Sequence, residues 1–158
     1  MKSFLCLFAL GIFLHIHEGQ AMCAPGFESF YVEDLMMEMC LNFVTDVKRD
    51  WHESKTYCES LGADLADLDY GDLHWQVISY IHKHEWLLDE GFHIGCTDEV
   101  TENEWLWTDG RPVSMFTGHW YPGQPDGGYS ENYGCLYYDD FLYSSCLNGQ
   151  RLYAICMV

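Results

Sequence analysis

Seven of the chain's eight cysteines fall between positions 23 and 156: Cys23, Cys40, Cys58, Cys96, Cys135, Cys146 and Cys156. In an oxidising compartment, that many cysteines in a small domain read as a disulfide framework. A metal site is the poorer reading, because there is no Cys-x-x-Cys pair and no cysteine with a histidine at finger-like spacing. Seven is an odd number, so one thiol stays free or pairs between chains. Spacing alone does not choose the pairings.

The eighth cysteine, Cys6, lies in a segment of different character. Lys2 precedes an almost unbroken apolar run at 4–13, and His15, Glu18 and Gln20 make the next stretch polar. Gly19 and Ala21 put small residues where a signal peptidase cuts, so 1–21 reads as a secretory signal peptide cleaved after Ala21. The run is far shorter than the roughly 20 apolar residues that span a bilayer, so membrane insertion is not expected. Residues 22–158 then form one extracellular domain with one core.

The formal net charge is −18, which excludes the basic footprint that nucleic acid or an anionic membrane face requires. Cations, basic proteins or a calcium-rich phase fit better, and acidity also serves solubility alone. Apolar residues at 49% and aromatics at 16% supply a core that a disordered acidic chain lacks. There is no repeat, no low-complexity tract and no N-glycosylation sequon. No nucleophile motif, HExxH, Walker or dinucleotide loop occurs, so the chain reads as a binding protein and not an enzyme.

Residues 23–47 read as an N-terminal hairpin. Asp50 with Glu53 three residues on makes a capping box, and Ser54, Tyr57, Cys58 and Leu61 follow at helical spacing before Gly62. A second helix is expected from Asp69, with Asp72 in its first turn and Leu73, Val77, Tyr80 and Ile81 as the buried stripe. His82 and His84, two apart, share no face and read as surface residues. Strands follow at 92–95 and 104–107, then a turn at 108–112 and a glycine- and proline-rich stretch at 110–134. Loops of that length in a compact domain are usually functional. Strands at 136–138 and 152–156, with 141–146 between them, complete an α+β domain.

The order and spacing of several fragments carry a resemblance. They are Cys40-Leu41-Asn42-Phe43, Tyr57-Cys58 through Leu61-Gly62, Asp64-Leu65-Ala66, His93-Ile94-Gly95-Cys96-Thr97-Asp98 and Trp105-Leu106-Trp107 through Gly110. Gln124-Pro125-Asp126, Glu131-Asn132, Cys135, Cys146 and Tyr153-Ala154-Ile155-Cys156 complete the set. In this order they resemble the C-type lectin-like domain across essentially all of 22–158. The resemblance implies a fold of two helices, small antiparallel sheets and a long structured loop. It also implies the bridges Cys23–Cys40, Cys58–Cys156 and Cys135–Cys146. Cys58–Cys156 closes the longest loop, about 4–5 kcal/mol by chain entropy. Cys96 is the spare, either a buried inert thiol or a link to a second copy in a homo-oligomer.

In that family the long loop holds a calcium ion that also ligates two sugar hydroxyls, within six to eight oxygen donors. By resemblance, Gln124, Asp126 and Glu131 are ligands for Ca²⁺ and sugar, and Pro125 is cis. The Gln-Pro-Asp order resembles the galactose-type version, because exchanging amide and carboxylate selects a different hydroxyl geometry. Tyr129 is the candidate to stack on a galactose-like ring, with Trp120 in reserve. One departure stands out. Where the family places Trp-Asn-Asp before the cysteine equivalent to Cys146, this chain has Phe141, Leu142 and Tyr143. Asp139 or Asp140 supplies the missing carboxylate if the segment is re-registered, or else both belong to an ordinary acidic turn. Two functions follow: a secreted glycan-binding lectin of galactose type, with calcium, or a lectin-like domain that has lost that site. The second would recognise another ligand through Trp120, Tyr121, Tyr129 and Tyr133. Adsorption to calcium-rich mineral is a third, resting on charge alone.

Overall fold

The computed structural model describes residues 23–88, 91–137 and 140–158; the expected leader at 1–21 lies outside them. The helix α1, Trp51–Ser60, starts where the capping box places it. The Asp50 carboxylate accepts the Glu53 N–H at 2.8 Å, and the Asp50 N–H donates back to Glu53 Oε2 at 3.2 Å. Its inner face is Trp51, Ser54 and Cys58, and Gly62, at φ 74°, lets the chain turn away.

The second helix, α2, spans Leu73–Lys83 and so begins four residues later than Asp69. Gly71 at φ 52° interrupts the turn, and the Asp69 side chain points inward to hold other groups instead of opening a helix. Leu73, His74, Val77 and Ile81 are its buried residues. Tyr80, assigned to the stripe, is only half-buried, with its ring stacked on Phe43 and on His84.

The strands are β1 Glu28–Val32, β2 Met37–Arg49, β3 Asp64–Leu65, β4 Phe92–Thr97, β5 Leu106–Trp107, β6 Tyr133–Tyr137, β7 Leu142–Cys146 and β8 Leu152–Met157. They form one sheet in the order β1-β2-β8-β4-β6-β7, with β3 on β8 and β5 on β4. All pairings are antiparallel except β4 with β8. The β1–β2 pair is the expected hairpin, and β2 against β8 ties the two ends of the domain together. Of the stretch 104–107, only Leu106 and Trp107 pair. The α+β lectin-like architecture implied by the resemblance is the one observed.

The three bridges are Cys23–Cys40, Cys58–Cys156 and Cys135–Cys146, with Cα–Cα separations of 5.5, 5.3 and 6.2 Å. Cys96 is free and fully buried on β4, and a Cβ at Gly134 on β6 would run into its sulfur. Burial pushes its thiol well above the ordinary value. A bridge from Cys96 to a second copy is therefore not available in this fold, because no partner thiol can reach it. Gly95 beside it is equally constrained, since a Cβ there would lie 2.5 Å from the Leu65 carbonyl oxygen. Among the described residues, no helix is long and apolar enough to cross a membrane.

Candidate functional site

The chain leaves β5 at Trp107 and rejoins the sheet at Tyr133, and among the described residues the span 108–132 holds one short 3-10 turn, Gly128–Ser130. Backbone hydrogen bonds anchor its start: Thr108 N–H donates to the Gly95 carbonyl at 2.8 Å, and Val113 N–H to that of Trp105 at 3.0 Å. Further along, the loop runs beside β7. The Tyr143 N–H donates to the His119 carbonyl at 2.7 Å, and the Tyr121 N–H to the Tyr143 carbonyl at 2.9 Å. Trp120 and Tyr143 form the resulting parallel bridge.

Just beyond that bridge the Gln124–Pro125 peptide is cis. Gln124 Oε1 accepts the Ser145 N–H at 2.7 Å and lies 2.8 Å from the Ser145 hydroxyl, while its Nε2 donates to Asp126 Oδ1 at 2.5 Å. Glu131 Oε2 is also 2.8 Å from the Ser145 hydroxyl. That hydroxyl has one proton, so it serves Gln124 or Glu131 at any moment. Gln124, Asp126 and Glu131 are thus brought together, and Ser145 at the end of β7 joins them. Nothing in the residue type marked Ser145 beforehand; only the pairing of β7 with β6 and the loop puts it there. Tyr129, on the 3-10 turn, is 81% exposed, and its carbonyl accepts from Asn148 Nδ2 at 3.1 Å.

Other candidates lie elsewhere. Trp120 is 7% exposed and packs edge-on against Trp105 and Tyr143, so it is a core residue and offers no ring face to a sugar. Asp140 is an exposed turn residue two positions before β7 starts, whereas Ser145 is near that strand's far end. At about 3.3 Å per residue the two are on the order of 15 Å apart. Asp140 is therefore not a ligand of the cluster, and Asp139 lies outside the described residues. Leu142 is half-buried and Tyr143 fully buried, so neither adds an oxygen. Of the aromatics considered as anchors for another partner, Tyr133 is buried too, with its hydroxyl 2.9 Å from His52 Nε2.

The donor set does not match the family's calcium cage. Gln124 Oε1 is already engaged by the Ser145 backbone, and β7 contributes one hydroxyl, with Leu142 and Tyr143 standing where the resemblance implied Asn and Asp. Asp126 and Glu131 leave the set well below six to eight oxygens. Among the described residues, no three His, Cys, Asp or Glu side chains converge as a metal set. At the loop's base, Asp98 is buried with its Oδ2 accepting the Asn103 N–H at 2.9 Å, and burial raises its carboxyl.

Beneath the loop lies a polar knot. Asp69 accepts from the Ser114 N–H at 2.8 Å and the Trp107 indole at 3.3 Å, with His119 Nδ1 at 3.2 Å. Burial alone would raise the Asp69 carboxyl, but the bonds from His119, Ser114 and Trp107 outweigh it and hold the group below its ordinary range. His74 stacks on His119 with ring centroids 4.3 Å apart, and burial depresses its pKa to about 3, so it is neutral. Asp67, two residues from Asp69, binds Arg111 of the loop.

Residues 47–158 match the family described as the lectin C-type domain. Human C-type mannose receptor 2 is 30% identical over 109 residues, which is 69% of this chain and 7% of that protein. Human C-type lectin domain family 4 member F is 36% identical over 75 residues, 47% of this chain and 12% of its own length. The chain thus spans a small fraction of these curated relatives. Among solved structures, the mouse scavenger receptor C-type lectin carbohydrate-recognition domain superposes with a TM-score of 0.70 at 25% identity, covering 86% of this chain and 95% of that one. The matched segment runs from the end of β2 through the long loop to β8, and the chain belongs to the C-type lectin domain family.

Proposed function

We propose that the protein is a secreted carbohydrate-binding domain that holds sugar hydroxyls directly at the Gln124, Asp126, Glu131 and Ser145 cluster. Its preference is galactose-type and calcium contributes little. The observation that carries this reading is the convergence of three polar side chains of the long loop with Ser145 at the end of β7, their hydrogen bonds made to one another. A hydroxyl of a sugar donates and accepts at once, and it can exchange with the Ser145 hydroxyl between an amide and two carboxylates. Tyr129 stands exposed on the same loop and offers a ring face to the apolar side of the sugar. Secretion rests on the leader pattern at 1–21 and on the three bridges, which persist in oxidising compartments. Binding rather than catalysis fits the absence of catalytic motifs in the sequence.

Retention on immobilised galactose and mannose tests the reading, run in calcium and again in EDTA, for the wild type and Asp126→Ala. The expected result is retention on galactose that EDTA changes less than about twofold and that Asp126→Ala abolishes. Full release by EDTA would show that a cation bridges protein and sugar. No retention on either matrix would remove the glycan reading.

A further inference from the structure

The polar knot under the loop ties the segment before α2 to the loop and, through the loop backbone, to β7. Asp69 lies in the segment before α2, and its two oxygens have different partners. Oδ2 takes the Ser114 N–H and the Trp107 indole, and Oδ1 faces His119 Nδ1. Both His119 and Asp69 are nine-tenths buried. His119 in turn gives its carbonyl to the Tyr143 N–H, and Tyr143 gives its own carbonyl to Tyr121. Two residues beyond Tyr143 stands Ser145, whose N–H and hydroxyl hold Gln124. Two residues apart on a strand means the same face and a separation of about 7 Å. One carboxylate thus fixes both the middle of the loop, through His119, and its first limb, through Ser114.

We infer that Asp69, acting through His119, is a positioning residue for the glycan site: it sets where the loop lies along β7 and therefore where Gln124 meets Ser145. The inference rests on the proposed sugar site, but its main readout needs no sugar. The geometry explains why a buried carboxylate sits here where a leucine would pack. Apolar contacts fix distance loosely, whereas charge-assisted hydrogen bonds fix direction, and the Gln124 amide needs direction to present one oxygen to Ser145 and one N–H to Asp126. Stacking of neutral His74 on His119 holds the second ring in plane without competing for Asp69.

Amide hydrogen exchange of the unliganded protein tests this in Asp69→Asn, His119→Phe, His119→Gln and Ser114→Pro. Ser114 is exposed, so Ser114→Pro removes its backbone and hydroxyl bonds to Asp69 without touching a buried side chain, and it remains informative if the buried variants do not fold. Expected are at least tenfold faster exchange at Tyr121, Tyr143 and Ser145 in Asp69→Asn and His119→Phe, a smaller rise in Ser114→Pro, and partial rescue in His119→Gln, which keeps a donor. Phe30 and Leu41, on the far hairpin, should keep wild-type protection. Uniformly faster exchange, or none at the three reporters, would overturn the inference, since Asp69 would then be only a stability residue. Galactose retention of the same variants separates the two ideas. If the wild type ignores sugar while the reporters respond, the function falls and the positioning stands. If the wild type binds sugar and the variants bind it equally well, the positioning falls.

Discussion

Replacing Asp67 with asparagine should flatten the dependence of stability on pH between about 4 and 7. The Asp67 side chain is 7% exposed, and burial pushes its carboxyl from the ordinary 3.8 up to about 6. Two contacts work against that rise: the Asp69 N–H donates to Oδ1 at 2.9 Å, and the Arg111 guanidinium reaches Oδ2. Arg111 does not cancel the burial, because its side chain is 44% exposed and also binds Asp109 at 2.6 Å and the Tyr70 hydroxyl at 2.6 Å. A carboxyl whose folded value lies above its unfolded one binds protons more tightly in the folded state. Its stabilisation is therefore complete below pH 3.8 and is lost as pH rises through about 6. The gap between 3.8 and about 6 corresponds to about 3 kcal/mol. An amide at this position keeps an oxygen for the Asp69 N–H and carries no charge at any pH. Urea denaturation of both proteins from about pH 4.5 to about pH 7.5 gives the comparison, and the difference between the two profiles cancels the other titrating groups. Because about pH 4.5 already lies above the unfolded value, the wild type should lose about 2 of those roughly 3 kcal/mol more than Asp67→Asn over that interval. Parallel profiles, within about 0.5 kcal/mol, would refute the reasoning, because the carboxylate would then be no harder to ionise in the fold than in the unfolded chain.

Cys96, buried with its thiol pushed well above the ordinary value, should resist an aromatic disulfide reagent in the native protein. It should label fully once the protein is denatured with its bridges intact, and rapid native labelling would contradict its placement. Tyr129→Ala should change unfolding stability by less than about 0.5 kcal/mol while weakening galactose retention. Trp120→Ala should instead lose about 3–5 kcal/mol in the same denaturation assay, and a change near zero would place that ring on the surface.

The parts of this protein legible in its sequence are those settled within a few residues. The Asp50–Glu53 capping box is one, since both partners lie in the first turn of α1. Gln124 and Asp126 were marked only by the resemblance, though a two-residue spacing keeps their side chains in reach of each other. The cysteine count implied staples, but the pairing came only with the resemblance, since Cys58 and Cys156 are 98 positions apart. Helix periodicity marked Leu73, Val77 and Ile81 as buried without telling that Asp69 turns inward to the loop. An aromatic on a loop does not say which way it faces, so Trp120 stood in reserve behind Tyr129 as a stacking ring; Trp120 is core and Tyr129 exposed. Register decided the rest. Strand pairing places Ser145 beside Gln124 and leaves Asp140 at the other end of β7, although an aspartate is the better oxygen donor. Local chemistry follows from neighbours along the chain. The members of the site are chosen by which backbone edges hydrogen-bond across the sheet, and residue type alone carries no record of that choice.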